Sequence, residues 1–329
     1  MLPTEVFHGI VCCLRTFRGK IRTRQLFVHY STIKNDSSLT ALWAVSGKSL
    51  LRRDPGRSDF MIEVRNIKKS FGDKVVIEDV SATMKAGQCN LIIGTSGSGK
   101  TVLMKCMVGL FEPDEGDILY SGENFTNMKR NDKTEIRKQI GMLFQGSALF
   151  DSLTVQENVM FPLNMFTTWP LKKKLERVNE VLDRVNLKDT NKKFPAELSG
   201  GMKKRVGIAR AIVLNPKYLF CDEPNSGLDP QTSLVIDKLI QEITLEFNIT
   251  TVVNTHDMNS VMEVGDYILY MYQGRKEWEG TNKQIIFSKN QRLNEFIFAS
   301  EFLKDAKEMR MLEETGKMPN DRNIDDMIK

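Results

Sequence analysis

The stretch from Gly94 to Thr101, GTSGSGKT, constrains the fold of this chain more than any other feature of its sequence. It follows a short apolar run, QCNLIIG at residues 88–94, and leads into the helix-like segment KTVLMKCMVGLF, which begins at Lys100. Glycines at this spacing let backbone N–H groups wrap phosphate oxygens, and the N-terminus of the following helix adds a positive dipole. The pattern therefore predicts a phosphate-binding loop between a buried strand and a helix, as in an α/β fold.

The positions of this loop have expected roles toward a nucleoside triphosphate. Lys100 is expected to reach the β- and γ-phosphates, and the Thr101 hydroxyl to bind Mg²⁺. The remaining residues are expected to surround the phosphates with their N–H groups and hydroxyls: Gly94, Thr95, Ser96, Gly97, Ser98 and Gly99. The loop thus predicts nucleotide binding with Mg²⁺.

Two further apolar runs end in polar residues: PKYLFCDEP at 216–224 and NITTVVNTHD at 248–257. In parallel α/β sheets, ligands bind at the carboxyl ends of the strands. A carboxylate at the tip of a buried strand is costly unless it serves a cation. We therefore expect Asp222 to hold Mg²⁺ and Glu223 to act as general base on the attacking water.

Two other polar residues follow strand-like segments. His256 comes after TTVVNT, so a contact with the γ-phosphate is expected, although a lone histidine is more often a structural hydrogen-bonding residue. Gln145 comes after IGMLF and is expected to reach Mg²⁺ or the attacking water; taken alone, an interior glutamine has a structural explanation just as good. Both assignments depend on the phosphate-binding loop lying at the same sheet edge.

A different motif, LSGGMKKRVGIARAI at 198–212, contains no acid, base or nucleophile in a familiar arrangement. Its serine and two glycines precede a helix-like run. Exposed N–H groups at a helix N-terminus suit a phosphate, but this motif is about a hundred residues from the loop that should bind one.

The order of these motifs resembles the ATP-binding subunits of ABC transporters: the phosphate-binding loop, Gln145, LSGG, the strand ending in DE, SGLD at 226–229, and His256. The resemblance covers about residues 61–285. It implies ATP and Mg²⁺ as cofactors and ATP hydrolysis coupled to transport. It also implies a P-loop NTPase fold of the ABC type, with a RecA-like core, an antiparallel β edge and a helical subdomain at about 146–205.

The resemblance further implies a partner, a second copy of the chain paired head to tail. Ser199, Gly200 and Gly201 of one copy would then close over the ATP held by the other. Phe71 would stack on adenine, the alternative being a core phenylalanine beside the strand, and Asp229 would signal across the dimer interface. Met202 and Gly227 depart from the family, since many members have Gln and Ala there; neither change removes a phosphate ligand.

The segments LFQGSALFDSLTVQENV (143–159), LSGGMKKRVGIARAI and DEPNSGLDP (222–230) look most like the Mla-type phospholipid-trafficking ATPases of double-membrane bacteria. That likeness implies a transmembrane permease and an MCE-domain lipid-binding protein as partners, at the cytoplasmic face of the inner membrane. In the family, the segment after Gln145 faces the permease. Phe150, Leu153 and Val155 would form that socket, unless they simply pack in the core.

Two other functions share parts of this pattern. An importer ATPase for a small polar solute would have every catalytic residue named above. An ABC protein acting on ribosomes or DNA usually carries two such domains or a long coiled coil, whereas this chain has one P-loop, one LSGG and no long heptad run. The sequence therefore favours a transporter subunit over that class.

Charge is unevenly placed along the chain. Residues 1–60 hold ten Lys and Arg against four Asp and Glu, and the rest holds 37 against 38, so the main body gives no reason to expect a nucleic-acid partner. Residues 1–60 lack periodicity and end in the linker-like LLRRDPGRSDF. Three interpretations stay open: a true start at Met61, a basic arm touching anionic lipid, and a targeting peptide.

Other features complete the expected organisation. No run approaches about 18 uninterrupted apolar residues, the length of a membrane span. The five cysteines have no metal or disulfide spacing and fit reduced thiols in a cytoplasmic compartment. LKKKLERVNEVLDRVNL at 171–187 predicts a helix whose apolar face contains Leu171, Leu175, Val178, Leu182 and Val185. Residues 286–329 are expected to form an amphipathic helix, including Leu293, Phe296, Ile297, Phe302 and Leu303, and a polar tail.

Overall fold

This computed structural model describes residues 60–299, 303–305, 307–309 and 311. Their strands form two sheets. The predicted extension up to residue 59, Phe302 and the polar tail lie outside the described residues. The strands are β1 (Ile62–Phe71), β2 (Lys74–Met84), β3 (Gln88–Ile93), β4 (Glu115–Tyr120), β5 (Glu123–Asn124), β6 (Ile140–Leu143), β7 (Tyr218–Asp222), β8 (Thr250–Asn254), β9 (Tyr267–Tyr272) and β10 (Arg275–Gly280).

The helices alternate with these strands, as the sequence predicts. They are α1 (Lys100–Met107), α2 (Arg130–Arg137), α3 (Val155–Phe166), α4 (Leu171–Arg184), α5 (Gly200–Ile212), α6 (Pro230–Phe247), α7 (Met258–Val264), α8 (Asn282–Ile286) and α9 (Gln291–Ile297), with a 3₁₀ turn at Pro195–Glu197. Among the residues described, no helix combines the length and the apolar character that crossing a membrane requires.

The larger sheet has six strands in the order β10-β9-β3-β8-β7-β6. Its strands pair in parallel except β10, which pairs antiparallel with β9. Because both faces of this sheet are covered, its inner strands are buried along most of their length and do not alternate between buried and exposed residues. In β3, for example, Leu91 and Ile93 pack in one core and Ile92 in the other.

Register brings the carboxyl ends of four strands to one edge of this sheet. Asp222 pairs with Asn254, Ile92 also pairs with Asn254, and Leu143 pairs with Cys221. The loops that leave β3, β6, β7 and β8 therefore begin side by side. This edge is the one at which the sequence predicts the phosphate-binding loop and the acidic pair.

The smaller sheet is antiparallel, in the order β2-β1-β4-β5, and packs over α1. Leu103, Met104 and Met107 of α1 share a core with strands of both sheets. The helix that follows the phosphate-binding loop is thus held on several sides, which fixes the loop at its N-terminus. These features confirm the predicted RecA-like core with an antiparallel β edge.

Helices α3, α4 and α5 form the predicted helical part, packing on the other core. Thr154 caps α3 in a capping box with Glu157, which sets where this helix begins. Val178, Leu182 and Val185 are buried as expected, but the placement of Leu171 on the buried face is wrong. Leu171 is the first residue of α4 and is 64% exposed, because the packed face begins only a turn later.

At the C-terminal end, Leu293 and Ile297 are buried, and Phe296 stacks on Tyr270 with ring centroids 5.3 Å apart. These residues of the expected apolar face are therefore packed on the domain, although α9 ends at Ile297. The three cysteines within the described residues are buried and free: Cys89, Cys106 and Cys221. Burial raises the pKa of Cys106 to about 11, in keeping with an inert core thiol.

Phe60, the last residue of the predicted extension, packs on this domain. Its ring meets Tyr218 edge to face at 6.4 Å, and the Lys217 ammonium lies 4.7 Å from the ring centroid. The Thr250 hydroxyl donates a hydrogen bond to the Phe60 carbonyl. The folded domain therefore includes at least one residue before Met61.

The contacts of Phe60 should make a shortened chain that includes this residue more stable than one that begins at Met61. We expect a chain beginning at Met61 to fold but to lose about 1–2 kcal/mol of free energy of unfolding relative to one beginning at Asp59, because the partly buried Phe60 ring is removed. Urea unfolding of both shortened chains and of the full chain measures this. Equal stability of the two shortened chains would contradict the role given to Phe60.

Candidate nucleotide-binding site

The loop between β3 and α1 needs glycine at both of its ends. Gly94 has φ +150°, and a Cβ there would lie 2.3 Å from the Met271 carbonyl oxygen. Gly99, just before α1, has φ +99°, and a Cβ there would lie 2.9 Å from the Val76 carbonyl oxygen. Because both obstacles are main chain, they cannot turn away. The neighbouring strands thus impose the glycine spacing that the sequence shows.

Two side chains inside this loop have features that suit a phosphate. Lys100 is only 6% exposed, and its ammonium donates to the carbonyls of Gly94 at 2.8 Å and Thr95 at 3.0 Å. Burial lowers the pKa of Lys100, a shift that a bound anion would oppose. The Ser98 hydroxyl is buried and has no hydrogen-bond partner among the described residues. With the N-terminus of α1, these groups fit a polyphosphate.

Phe71 ends β1 at the surface, 45% exposed. Its ring meets Phe111 edge to face at 5.3 Å, and the Lys69 ammonium lies 5.4 Å from its centroid. The alternative of a core phenylalanine is therefore wrong. An exposed ring that its neighbours hold in place suits stacking on a base. The assignment to adenine stays a prediction.

Asp222 is the last residue of β7, opposite Asn254 at the end of β8. The Asn254 side-chain N–H donates to Asp222 Oδ1 at 3.0 Å, while the buried Asn254 Oδ1 has no partner among the described residues. A carboxylate and an amide oxygen are the ligands that Mg²⁺ prefers, directly or through water. The pair fits the predicted metal site, at the same sheet edge from which the loop leading to Thr101 in α1 leaves β3.

Glu223 follows at once and turns sharply, with φ +46°, a conformation that few residues other than glycine adopt. Its N–H donates to the Asn254 carbonyl at 2.9 Å. Its carboxylate accepts a hydrogen bond from Gln145 Nε2 at 2.9 Å on one oxygen, and His256 Nδ1 lies 3.3 Å from the other. Residues predicted separately from the ends of β6, β7 and β8 thus meet on one carboxylate.

Ser199 caps α5 and lies exposed at the surface, its hydroxyl accepting from the Met202 N–H at 3.3 Å. Gly201 is buried, and a Cβ there would lie 2.6 Å from Thr232 Cγ2. The LSGG segment therefore packs against the start of α6, and its second glycine allows that approach. Ser199 and Gly200, at the N-terminus of α5, stay at the surface.

Asp229 caps α6 in the same region. Its carboxylate accepts from the Thr232 N–H at 2.9 Å and from the Thr232 hydroxyl at 2.5 Å, and these hydrogen bonds lower the pKa of Asp229. Gly227, where many ABC proteins have alanine, has φ +78°. Glycine relieves the strain that alanine would carry there. The SGLD segment and LSGG segment together form one exposed surface.

Comparisons with known proteins agree with this geometry. A sequence profile of the ABC transporter family matches residues 77–226. The methionine import ATP-binding protein MetN of Campylobacter jejuni is 38% identical over 261 residues, which are 74% of this chain and 78% of MetN. The chain belongs to the ABC transporter ATP-binding family. The ABC family binds ATP with Mg²⁺ and hydrolyses it, and its ATPases work with transmembrane permeases.

Two further relatives of this ABC ATPase bear on its assembly and use. The intermembrane phospholipid transport system ATP-binding protein MlaF of Haemophilus influenzae is 35% identical, over 72% of this chain and 90% of MlaF. The ATP-binding cassette MJ0796, whose solved dimer holds ADP and Pi, superposes with a TM-score of 0.62 and 30% identity, over 67% of this chain and 98% of that one.

Sequence reasoning missed two buried polar groups beside this ATPase site. Lys204 on α5 donates to the carbonyls of Gln145 and Glu223. The helical spacing of the sequence places Lys204 on the same face of α5 as Gly201 and Ile208, and that face is buried in the structure. A charged residue in such a row is unusual enough to note.

The second group anchors the SGLD segment. The Asn225 amide donates to both oxygens of Asp237 at 2.9 Å, and the Ser260 hydroxyl donates to Asp237 at 2.7 Å. Burial raises the pKa of Asp237 to about 6. This cluster joins the residues after Glu223 to α6 and α7, and nothing in the sequence pattern indicated it.

The position of Glu223 leads to a direct test of its predicted role. Glu223→Gln keeps the shape and the hydrogen-bond acceptor but removes the basic oxygen, so Mg-ATP binding should persist while turnover slows by roughly 10²–10⁴-fold. Single-turnover hydrolysis and nucleotide titration measure the two effects. Glu112→Gln, at an exposed glutamate paired with Lys133, is the matched control. Turnover of Glu223→Gln within a few-fold of the wild type would remove Glu223 as the base.

Proposed function

We propose that this chain is the ATP-hydrolysing subunit of an ABC transporter that moves phospholipid between membranes of the bacterial envelope. The observation that carries the catalytic part is the Glu223 carboxylate held by Gln145 and His256 beside the phosphate-binding loop.

Each residue of the cluster has a distinct task in hydrolysis. Thr101, Asp222 and Gln145 would hold Mg²⁺, which when bound neutralises charge on the phosphates. Lys100 exchanges its two loop carbonyls for phosphate oxygens, which favour its charged form. Glu223 takes a proton from the attacking water at a carboxylate oxygen. Gln145 and His256 hold that carboxylate in place and offer N–H groups toward the site.

The exposed surface around Ser199 supports a head-to-tail dimer. Ser199 and Gly200 at the N-terminus of α5 are exposed, and so is the neighbouring Asp229. A helix N-terminus at the surface suits a phosphate held by another chain. The dimer of the related cassette MJ0796 shows that such domains pair. In the proposed dimer, Ser199, Gly200 and Gly201 complete the ATP site of the other copy, and Asp229 lies at the interface.

Mixed dimers test whether the sites are shared. Take Lys100→Ala and Ser199→Arg, each in a Glu223→Gln background so that bound ATP is retained. Homodimers of either variant have two damaged sites and should trap no ATP. In the mixed dimer one site collects both defects and the other none, so one ATP should be trapped.

Nucleotide retained per purified, differentially tagged heterodimer is the measurement. The homodimer of Glu223→Gln alone, expected to trap two ATP, is the control for retention. A heterodimer that is folded and paired but traps no ATP would contradict the shared-site arrangement.

An exposed aromatic groove supports docking of a permease. Four phenylalanines near the end of β6 and along α3 are exposed and line a groove of about 420 Å³: Phe144, Phe150, Phe161 and Phe166. Clustered exposed aromatic side chains mark protein interfaces. Phe150 packs on Phe161 with ring centroids 4.9 Å apart. Leu153 is half-buried, and Val155 is buried in the core. Of the predicted socket residues, Phe150 therefore contributes and Val155 does not.

Docking on a permease in this groove would place the protein at the cytoplasmic face of the inner membrane. The Mla-type likeness adds an MCE-domain lipid-binding protein to the proposed complex. Both statements rest on the three Mla-like motif segments and on the similarity to MlaF, 90% of which is covered by the match.

A second candidate substrate has its own support. The similarity to MetN, a methionine import protein, is 38% over 78% of that relative, and an amino-acid importer would use the same catalytic cluster. We favour phospholipid because LFQGSALFDSLTVQENV, LSGGMKKRVGIARAI and DEPNSGLDP together resemble the Mla-type ATPases.

Activity of the assembled transporter separates these two candidates. Reconstituted with its permease in lipid nanodiscs, the complex should hydrolyse ATP at a rate that depends on the phospholipid supplied and is unaffected by methionine. Phe150→Ser should weaken this response without changing hydrolysis by the free subunit, whereas Phe247→Ser, at an exposed phenylalanine outside the groove, should leave it intact. Stimulation by methionine alone would favour the importer.

A further inference from the structure

A buried ammonium lies beneath the catalytic cluster. Lys204, in the second turn of α5, is 4% exposed. Its Nζ donates one hydrogen bond to the Gln145 carbonyl and another, at 3.2 Å, to the Glu223 carbonyl. One side chain on a third element of the fold thus connects the loop after β6 to the residue after β7.

Burying this ammonium costs more free energy than burying an apolar side chain of the same size. Taking a charged group out of water is costly, and here the two acceptors are neutral carbonyls instead of a carboxylate. Packing alone would be served by an apolar side chain of the same length, such as methionine. The cost indicates a task other than filling space.

The two carbonyls that it binds belong to residues whose side chains meet. Gln145 donates to the Glu223 carboxylate at 2.9 Å, so the placement of that contact depends on both backbones. Glu223 has φ +46°, a conformation that persists only where its surroundings hold it. The Asn254 carbonyl holds the N–H of Glu223, and Lys204 holds its carbonyl.

We propose that Lys204 is a positioning residue for ATP hydrolysis, which fixes the backbones of Gln145 and Glu223 so that the Glu223 carboxylate faces the site. The inference rests on the proposed role of Glu223 as the base. It also joins two functions on one helix, because Ser199 caps α5 five residues before Lys204, about 7.5 Å along the axis. A shift of the α5 N-terminus would therefore reach the base of the same chain.

Kinetics of three variants of the full chain test this role. Lys204→Met keeps the length and removes the donors, and its kcat should fall about 10²-fold, as small misplacements of catalytic groups do. Its KM for Mg-ATP should stay within about threefold, since no phosphate ligand is lost. Lys204→Arg, which keeps donors and charge, should recover at least tenfold of the loss. Lys203→Met, at the adjacent lysine, should match the wild type.

A double-mutant cycle separates positioning from general damage. If Lys204 acts through Glu223, adding Lys204→Met to Glu223→Gln should slow the remaining hydrolysis by no more than about threefold. If the two losses multiply, Lys204 acts by another route and the proposal is overturned. An unchanged kcat in Lys204→Met overturns it as well. Should Lys204→Met not fold, Lys204→Leu, which also removes the donors, replaces it under the same criteria.

The same cycle distinguishes failure of this inference from failure of the proposed function. Near-normal turnover in Glu223→Gln would reject the base itself, whatever Lys204 does. Slow turnover in Glu223→Gln with normal turnover in Lys204→Met would reject only the positioning role.

Discussion

Main-chain hydrogen bonding between parallel strands is the interaction on which the rest of this molecule depends. The pairs Ile92–Asn254 and Asp222–Asn254 align β3, β8 and β7 so that their carboxyl ends share one edge. A register slip of one residue would turn Asp222 to the opposite face and break its contact with Asn254. The phosphate-binding loop, the acidic pair and His256 are close together only because this alignment holds.

The same edge concentrates features that cost free energy. Lys100 and Lys204 are buried ammonium groups, Glu223 has a positive φ, and the Ser98 hydroxyl has no partner within the described part of the chain. The well-packed cores on both faces of the sheet supply the stability that these features reduce. A site that tolerates such groups is pre-organised, because their positions are set before any ligand arrives.

The surfaces of the domain are equally informative. The cap of α5 and the SGLD segment lie exposed side by side, and the aromatic groove lies between β6 and α3. In the proposed assembly the first surface meets the second copy and the groove meets a permease. Helix α5 contributes to both the exposed cap and the buried cluster, so in the proposed dimer this one rigid element would connect ATP held by the partner to the proposed base of the same chain.

The sequence by itself determined the parts of this protein that depend on short stretches of chain. The spacing of Gly94, Gly99 and Lys100, the acidic ends of apolar runs and the Ser199 cap all involve residues close together in the chain, and together they indicated the α/β fold and the nucleotide site. The order of these motifs then indicated the family.

Tertiary structure decided what depends on residues far apart. Lys204 finds its acceptors 59 and 19 positions away, and Asn225 meets Ser260 35 positions away, so no local pattern could show either contact. Periodicity likewise placed Leu171 on a buried face, and the family resemblance left Phe71, Phe150 and Val155 open between surface and core. Burial depends on which element packs opposite a residue, and that is fixed only when the whole chain has folded.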